Sequence, residues 1–181
     1  MNPGKIQFAE SEGTYLLKLL GEVRLTLCPT LEAFLDRVLN EPGFGCIIID
    51  LSETDTIDST SLGLLAKLSI RVNQKLGQTP ILISPQGDIT KILLSMGFEK
   101  VFIIVQTLKD PIPVVMKEIP CEGTSSNEQA THAQVLDAHR VLMNLSDENR
   151  QAFSELVKQL EQYGGINCDQ FKKPLKKSGT G

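Results

Sequence analysis

A chain of 181 residues with 41% hydrophobic content has room for one compact domain plus an appendage, and enough apolar side chains to build a core. Its net charge of −4 argues against a nucleic-acid-binding domain, which presents a basic face. Apolar windows are broken by charge or turn residues within about ten positions, short of the roughly 20 that a membrane-spanning helix needs, so no membrane association is expected. The start, Met1-Asn-Pro-Gly-Lys-Ile-Gln-Phe8, lacks the apolar stretch of a signal peptide and predicts a cytoplasmic location. Cys28, Cys46, Cys121 and Cys168 form no CxxC pair and read as reduced thiols, without a zinc or redox site.

In chain order, Ile6 and Phe8 alternate on one side of Glu10-Ser-Glu-Gly13, and Tyr15, Leu17, Leu19 and Gly21 on the other, which predicts a β-hairpin. Pro29 and Thr30 then open a short helix whose Leu31, Phe34, Leu35 and Val38 share one face, ended by Asn40-Glu-Pro-Gly43. Ile47, Ile48 and Ile49 are a β-branched run suited to a strand covered on both faces. An acidic loop with Asp50, Glu53 and Asp55 follows. Asp58 offers its carboxylate as an N-cap, and Leu62, Leu65, Leu68, Val72 and Leu76 recur at helical spacing. Gly77-Gln-Thr-Pro80 makes the turn into a strand at Ile81-Leu-Ile83. Ser84-Pro-Gln-Gly87 leads to a helix with Ile89, Ile92, Leu93 and Met96 that stops at Gly97, and Val101-Phe-Ile-Ile-Val105 is the last strand of this block. The order β-β-α-β-α-β-α-β predicts an α/β domain with a mixed sheet and helices packed on it over residues 1–108.

Beyond it, Pro111, Pro113 and Pro120 and the run Gly123-Thr-Ser-Ser-Asn127 mark residues 109–127 as a linker. Ser125 with Glu128, or Ser126 with Gln129, fits a capping box for a helix carrying Val135, Leu136, Leu142, Met143 and Leu145. Ser146-Asp-Glu-Asn149 starts another helix, with Phe153, Leu156, Val157, Leu160 and Tyr163 as its apolar stripe and Gly164-Gly165 as its end. Residues 128–163 thus read as a helical hairpin. Helices this short are marginal in isolation, so they are expected to pack on the first domain, on each other or on a partner. Residues 164–181, with Lys172, Lys173, Lys176 and Lys177, read as a flexible basic tail.

The stretch from Ile47 to Ala66 carries the chemistry. Ser59, Thr60 and Ser61 fall in the first turn of a helix, where hydroxyls either satisfy free backbone amides or stand ready for modification. Asp58-Ser-Thr-Ser-Leu-Gly63, after a hydrophobic strand ending in Asp50-Leu-Ser52, resembles the Asp-Ser-Ser/Thr-Gly-Leu-Gly element of STAS-domain anti-sigma factor antagonists. The strand order and Gly97-Phe98 add to the likeness, which spans about residues 5 to 108. The resemblance implies a STAS fold and phosphorylation of Ser59 by a Ser/Thr protein kinase, with Thr60 the lesser candidate. It further implies reversal by a phosphatase, a response-regulator protein among the possible agents. An anti-sigma factor is the implied partner, held through Asp55, Asp58, Ser59, Thr60, Ser61 and Leu62. Ser61 stands where the family usually has Gly. The region Ala138-His-Arg-Val-Leu-Met143 and the following helix resemble the C-terminal extension of HsbA-type antagonists, which implies a role in motility or biofilm control.

Phosphorylation of Ser59 adds about −1.5 to −2 charges beside Asp55 and Asp58, so a partner that reads the bare hydroxyl is expected to be lost. A different reading is a constitutive STAS adaptor of a transport or stress complex, which needs no modified serine. No GxxxxGK[ST] or GxGxxG occurs, and no cofactor is expected. His132 and His139 lack ligand-spaced partners and read as surface or interface histidines, not as metal ligands. Ser59 has no recognisable base or oxyanion site in the sequence, so the chain is not expected to be an enzyme.

Overall fold

A computed structural model of the chain describes residues 2–121 and 127–163. Within them the elements run β1 (Lys5–Ser11), β2 (Thr14–Val23), α1 (Cys28–Asn40), β3 (Cys46–Asp50), β4 (Thr54–Ile57), α2 (Ser59–Leu76), β5 (Ile81–Ile83), α3 (Gly87–Ser95), β6 (Ile103–Val105), β7 (Lys117–Ile119), α4 (Glu128–Met143) and α5 (Asp147–Tyr163). The α/β architecture is the one expected: a mixed sheet of seven strands in the order β6-β5-β3-β2-β1-β7, with β4 beside β2.

The hairpin forms because Glu12 and Gly13 turn the chain with positive φ, and the Glu10 carboxylate accepts the Gly13 amide at 2.8 Å. It pairs β1 antiparallel to β2, with Ile6 opposite Leu19. From β2 towards β6 the sheet is parallel: β2 to β3, β3 to β5 and β5 to β6. Parallel strands need crossovers and end up covered, which is why Ile47, Ile48 and Ile49 are all buried. Leu17, Leu19 and Ile49 join Leu31 and Leu35 of α1 and Leu62, Leu65 and Leu68 of α2 in one apolar cluster. Gly77 ends α2 in the left-handed region at φ 66°, the stop expected from sequence.

Three segments differ from the sequence reading. The acidic loop after β3 continues into β4, held parallel to β2 across a register shift at Gly21 and Glu22. The segment 109–127, read as linker, contributes β7, an edge strand antiparallel to β1. The strand read from Val101 begins only at Ile103, because the 3-10 turn at Phe98–Lys100 ties up the Val101 and Phe102 amides, which both donate to the Phe98 carbonyl.

At the C-terminal side, Ser146 caps α5 by accepting the Asn149 amide at 3.1 Å, as its sequence predicts. Asn127, rather than a capping box, opens α4 by accepting the Gln129 amide. Ser125, Ser126, Gly164, Gly165, Cys168 and the lysine tail lie outside the described residues. The α4–α5 pair packs on the sheet domain as well as on itself, and Leu142 and Leu145 enter the main apolar cluster. No described helix is long and apolar enough to cross a membrane.

Candidate functional site at the start of the Ser59 helix

Asp58 is extended, at φ −89° and ψ 166°, and both its carboxylate oxygens are engaged. One accepts the Ser61 amide at 2.8 Å and caps α2; the other accepts the Leu25 amide at 2.7 Å and ties α2 to the chain entering α1. Its role here is to fix where the first turn of α2 sits. The next side chain, Ser59, is therefore held at a defined point on a helix N-terminus, half-buried.

The other predicted site residues divide by depth. Thr60, Ser61 and Leu62 are buried, whereas Asp55 on β4 is exposed. The Ser61 hydroxyl faces inward, 3.4 Å from the Cys28 thiol and 3.5 Å from the Val23 carbonyl. Ser61 thus shapes the interior beneath the site rather than its outer surface. Burial pushes the Cys28 thiol up to about 11, with the bond to Ser61 acting in the opposite sense, so Cys28 stays protonated at neutral pH.

What covers Ser59 is α4. The Ser59 Oγ lies 2.8 Å from His139 Nε2, and His139 Nδ1 lies 2.7 Å from the Val135 carbonyl. A carbonyl only accepts, so in the neutral ring Nδ1 carries the proton and Nε2 accepts the Ser59 hydroxyl. The ring is 2% exposed and meets Phe153 of α5 edge-on, with 5.2 Å between centroids. One helical turn further along α2, Gly63 lies directly under α4: a Cβ there would fall 2.3 Å from the Ala138 carbonyl oxygen. Only glycine permits this approach of two helix backbones.

Polar contacts continue the same seam. Lys67 donates to Glu32 of α1 at 3.1 Å and to Asp137 of α4 at 2.6 Å, while Gln134 donates to Glu32 at 2.8 Å. Burial alone would lower the Lys67 pKa, but its bonds to Asp137 and Glu32 outweigh that and hold it above the usual lysine value. At the far end Lys100 donates to the Leu145 carbonyl at 2.9 Å, and the Asn149 side-chain Nδ2 donates to the Met96 and Leu142 carbonyls at 2.9 and 2.8 Å.

His139 is the residue that sequence reasoning missed at this site. It is an interface histidine, but its partner is 80 positions away and no local spacing links the two. The available signal was its place on α4, between Val135 and Leu142 on the side that carries the buried Ala138. No group of three or more metal-ligating side chains is found among the described residues. A cleft of about 440 Å³ opens beside Asp55, lined among others by Lys5, Glu53 and Gln86. Its lining has one cation, Lys5, already paired with Glu118 at 3.4 Å, beside the carboxylates of Glu53 and Asp55, which is poor chemistry for holding a phosphate.

Comparison with known families gives one finding: a family model described as the STAS domain matches residues 5–110. No curated protein matches the chain.

Proposed function

The chain belongs to the STAS-domain family, and on that premise we propose that it is an anti-sigma factor antagonist that works as a phosphorylation-controlled binding protein in the cytoplasm. The observation that carries this reading is the placement of Ser59: a half-buried hydroxyl in the first turn of α2, set there by a fully engaged Asp58. In the bare form, the surface around Ser59 and Asp55 binds the anti-sigma factor and frees the sigma factor. A Ser/Thr protein kinase transfers a phosphoryl group from a nucleoside triphosphate to Oγ. The Oγ–H bond is replaced by Oγ–P, the nucleoside diphosphate leaves and the proton passes to the kinase's base; a phosphatase, such as a response-regulator protein, reverses this by hydrolysis.

Physical chemistry favours a switch over a simple loss of fold. The helix N-terminus favours an anion by roughly 0.3–1 kcal/mol, so α2 tolerates the phosphate. The partner does not, because it meets new charge beside Asp55 and Asp58 and an uncompensated desolvation; each 1.4 kcal/mol of that penalty is about tenfold in affinity. The C-terminal helices carry the finer likeness to the HsbA type, and with it a role in motility or biofilm control. No turnover by the chain itself is proposed. His139 supplies a base that the sequence did not reveal, but its ring is enclosed and both its nitrogens are occupied.

The test is capture of partners from native extract by Ser59→Ala and Ser59→Asp forms, with phosphate at Ser59 of the wild type measured by mass spectrometry. An anti-sigma factor retained by the Ala form and lost by at least tenfold in the Asp form is the expected result. The bond between Ser59 and His139 favours one other reading, a constitutive adaptor in which the serine serves only to dock α4. In that case both forms capture the same partners and no phosphate is found.

A further inference from the structure

Ser59, Gly63 and Lys67 are spaced four residues apart and form one stripe along α2, and α4 lies on all three. We propose that the α4–α5 pair is a displaceable cover that docks only on the unphosphorylated Ser59 hydroxyl and must leave before a partner protein or a kinase can reach that residue. This rests on reading Ser59 as the regulated residue, and it assigns to the C-terminal helices a regulatory task of their own.

The geometry makes docking and phosphorylation mutually exclusive. A 2.8 Å contact between Oγ and Nε2 is closed by a single proton, and a phosphoryl group removes that proton and adds three oxygens in its place. The imidazole has no room to yield, because its Nδ1–H is held by Val135 and its ring edge by Phe153. Nor does α4 have slack to slide along α2, since its backbone at Ala138 already sits where a Gly63 side chain would be. The phosphate therefore expels the helix rather than adjusting it.

The contacts also suit a cover that comes off. Its apolar hold is Ala138, Leu142 and Leu145, with Val141 and Phe153 half-buried against the core, and the rest is polar: the Lys67 bridge, Gln134 to Glu32, Lys100 and Asn149. Polar groups released to water are rehydrated, so undocking forfeits less than opening an apolar core of the same area. Between α1 and the start of α4 the fit is loose, leaving a groove of about 360 Å³ lined by Glu32, Ala33, Ala130 and Gln134, among others. A cover in equilibrium with an open form reduces the apparent affinity for any partner of the Ser59 surface by the open fraction. The partner that fits is one presenting a helix with a small residue for Gly63 and a carboxylate for Lys67, as α4 does.

The experiment is backbone hydrogen exchange on the full-length chain, unmodified and with phosphoserine incorporated at position 59. Amides of α4 should exchange at least tenfold faster in the phosphoserine form, while those of β2 and β3 are unchanged. Equal protection of α4 in the two forms overturns the inference, and so does greater protection in the phosphoserine form. Asp137→Lys opens the cover from the α4 side and leaves the α2 surface intact, and Leu142→Ala does so should the core amides of the first variant lose protection. Either is expected to raise by about tenfold the affinity for the partner that Ser59→Ala captures; unchanged affinity would overturn the masking. Exchange needs no partner, so failure of the antagonist reading shows in the capture experiment alone and failure of the cover shows in the exchange.

Discussion

The two sides of α2 are built from different residues, although they belong to one helix. Leu62, Leu65, Leu68 and Val72 are sealed into the same apolar cluster as Leu31 and Leu35 of α1 and Ile49 of β3. Ser59, Gly63 and Lys67 lie under α4 and meet it through a hydroxyl, a bare backbone and an ammonium. Burial of large aliphatic side chains contributes about 1.5–3 kcal/mol each, whereas a net hydrogen bond contributes only about 0.5–1.5 kcal/mol. The first side should therefore hold for as long as the domain is folded, and the second should open well before it unfolds.

The largest effect expected from this contrast is on Leu65→Ala. Removing a fully buried leucine from the sealed side leaves a cavity and should cost about 2–5 kcal/mol, which for a chain of this size lowers the melting midpoint by roughly 2–4 °C per kcal/mol. Leu142→Ala removes the same atoms from an equally buried position on α4, yet its global cost should be less than half as large. Once α4 has undocked, no further stability can be lost through it. A thermal melt gives the midpoints, and hydrogen exchange shows whether the second variant loosens only α4 and α5. Equal shifts in midpoint would mean that the helical pair is part of the cooperative core, and the contrast would fail.

The sealed side was the legible one. A run of three isoleucines, leucines at helical spacing after Asp58, and stops at Gly77 and Gly97 placed the sheet, α2 and α3 from sequence, because each signal is local and follows a regular period. What was missed depends on pairing across the chain. Thr-Asp-Thr-Ile of β4 is polar and short, and it is a strand only because β2 lies beside it, with Thr54 buried and donating to the Leu19 carbonyl at 2.8 Å. Lys-Glu-Ile of β7 sits among prolines and is fixed by the free edge of β1. The site divides in the same way. Asp58 as a cap and Ser59 in the first turn were readable, whereas His139 over Ser59 follows from the docking of α4, which is a property of two surfaces and of no single segment.

A smaller effect is expected where the two sides meet, at Asp58. Its cap on Ser61 and its tether to Leu25 each satisfy a backbone amide, and Asp58→Ala should cost about 1–2 kcal/mol through the loss of the cap, with the Leu25 amide adding to it if water does not reach it. Asp58→Asn keeps an acceptor oxygen for one amide and should recover much of that loss. Chemical denaturation measures both. Because the tether positions the first turn, Asp58→Ala should also loosen α4 without touching any residue of α4. An Asp58→Ala form with native α4 exchange would separate the cap from the cover and weaken the view that the start of α2 organises both sides.

The smallest effect concerns the thiol on the sealed side. Burial holds the Cys28 thiol at about 11 in the folded chain, against its ordinary 9.0 once unfolded. The neutral thiol is the form that the core accepts. Its contribution to stability is thus fully present below pH 9 and is lost as the pH rises through 11, since the unfolded chain gives up the proton first. Between pH 9 and pH 10 this amounts to about 1 kcal/mol of lost stability. Cys28→Ala should be less stable than the wild type at neutral pH, because it leaves a small cavity beneath Ser61, but its stability should fall less steeply over that one pH unit. The comparison is of slopes between the two chains, which cancels the lysines and tyrosines they share. Identical slopes would mean that Cys28 is solvated in the folded chain, and that the side of α2 facing α1 is less tightly sealed than its packing implies.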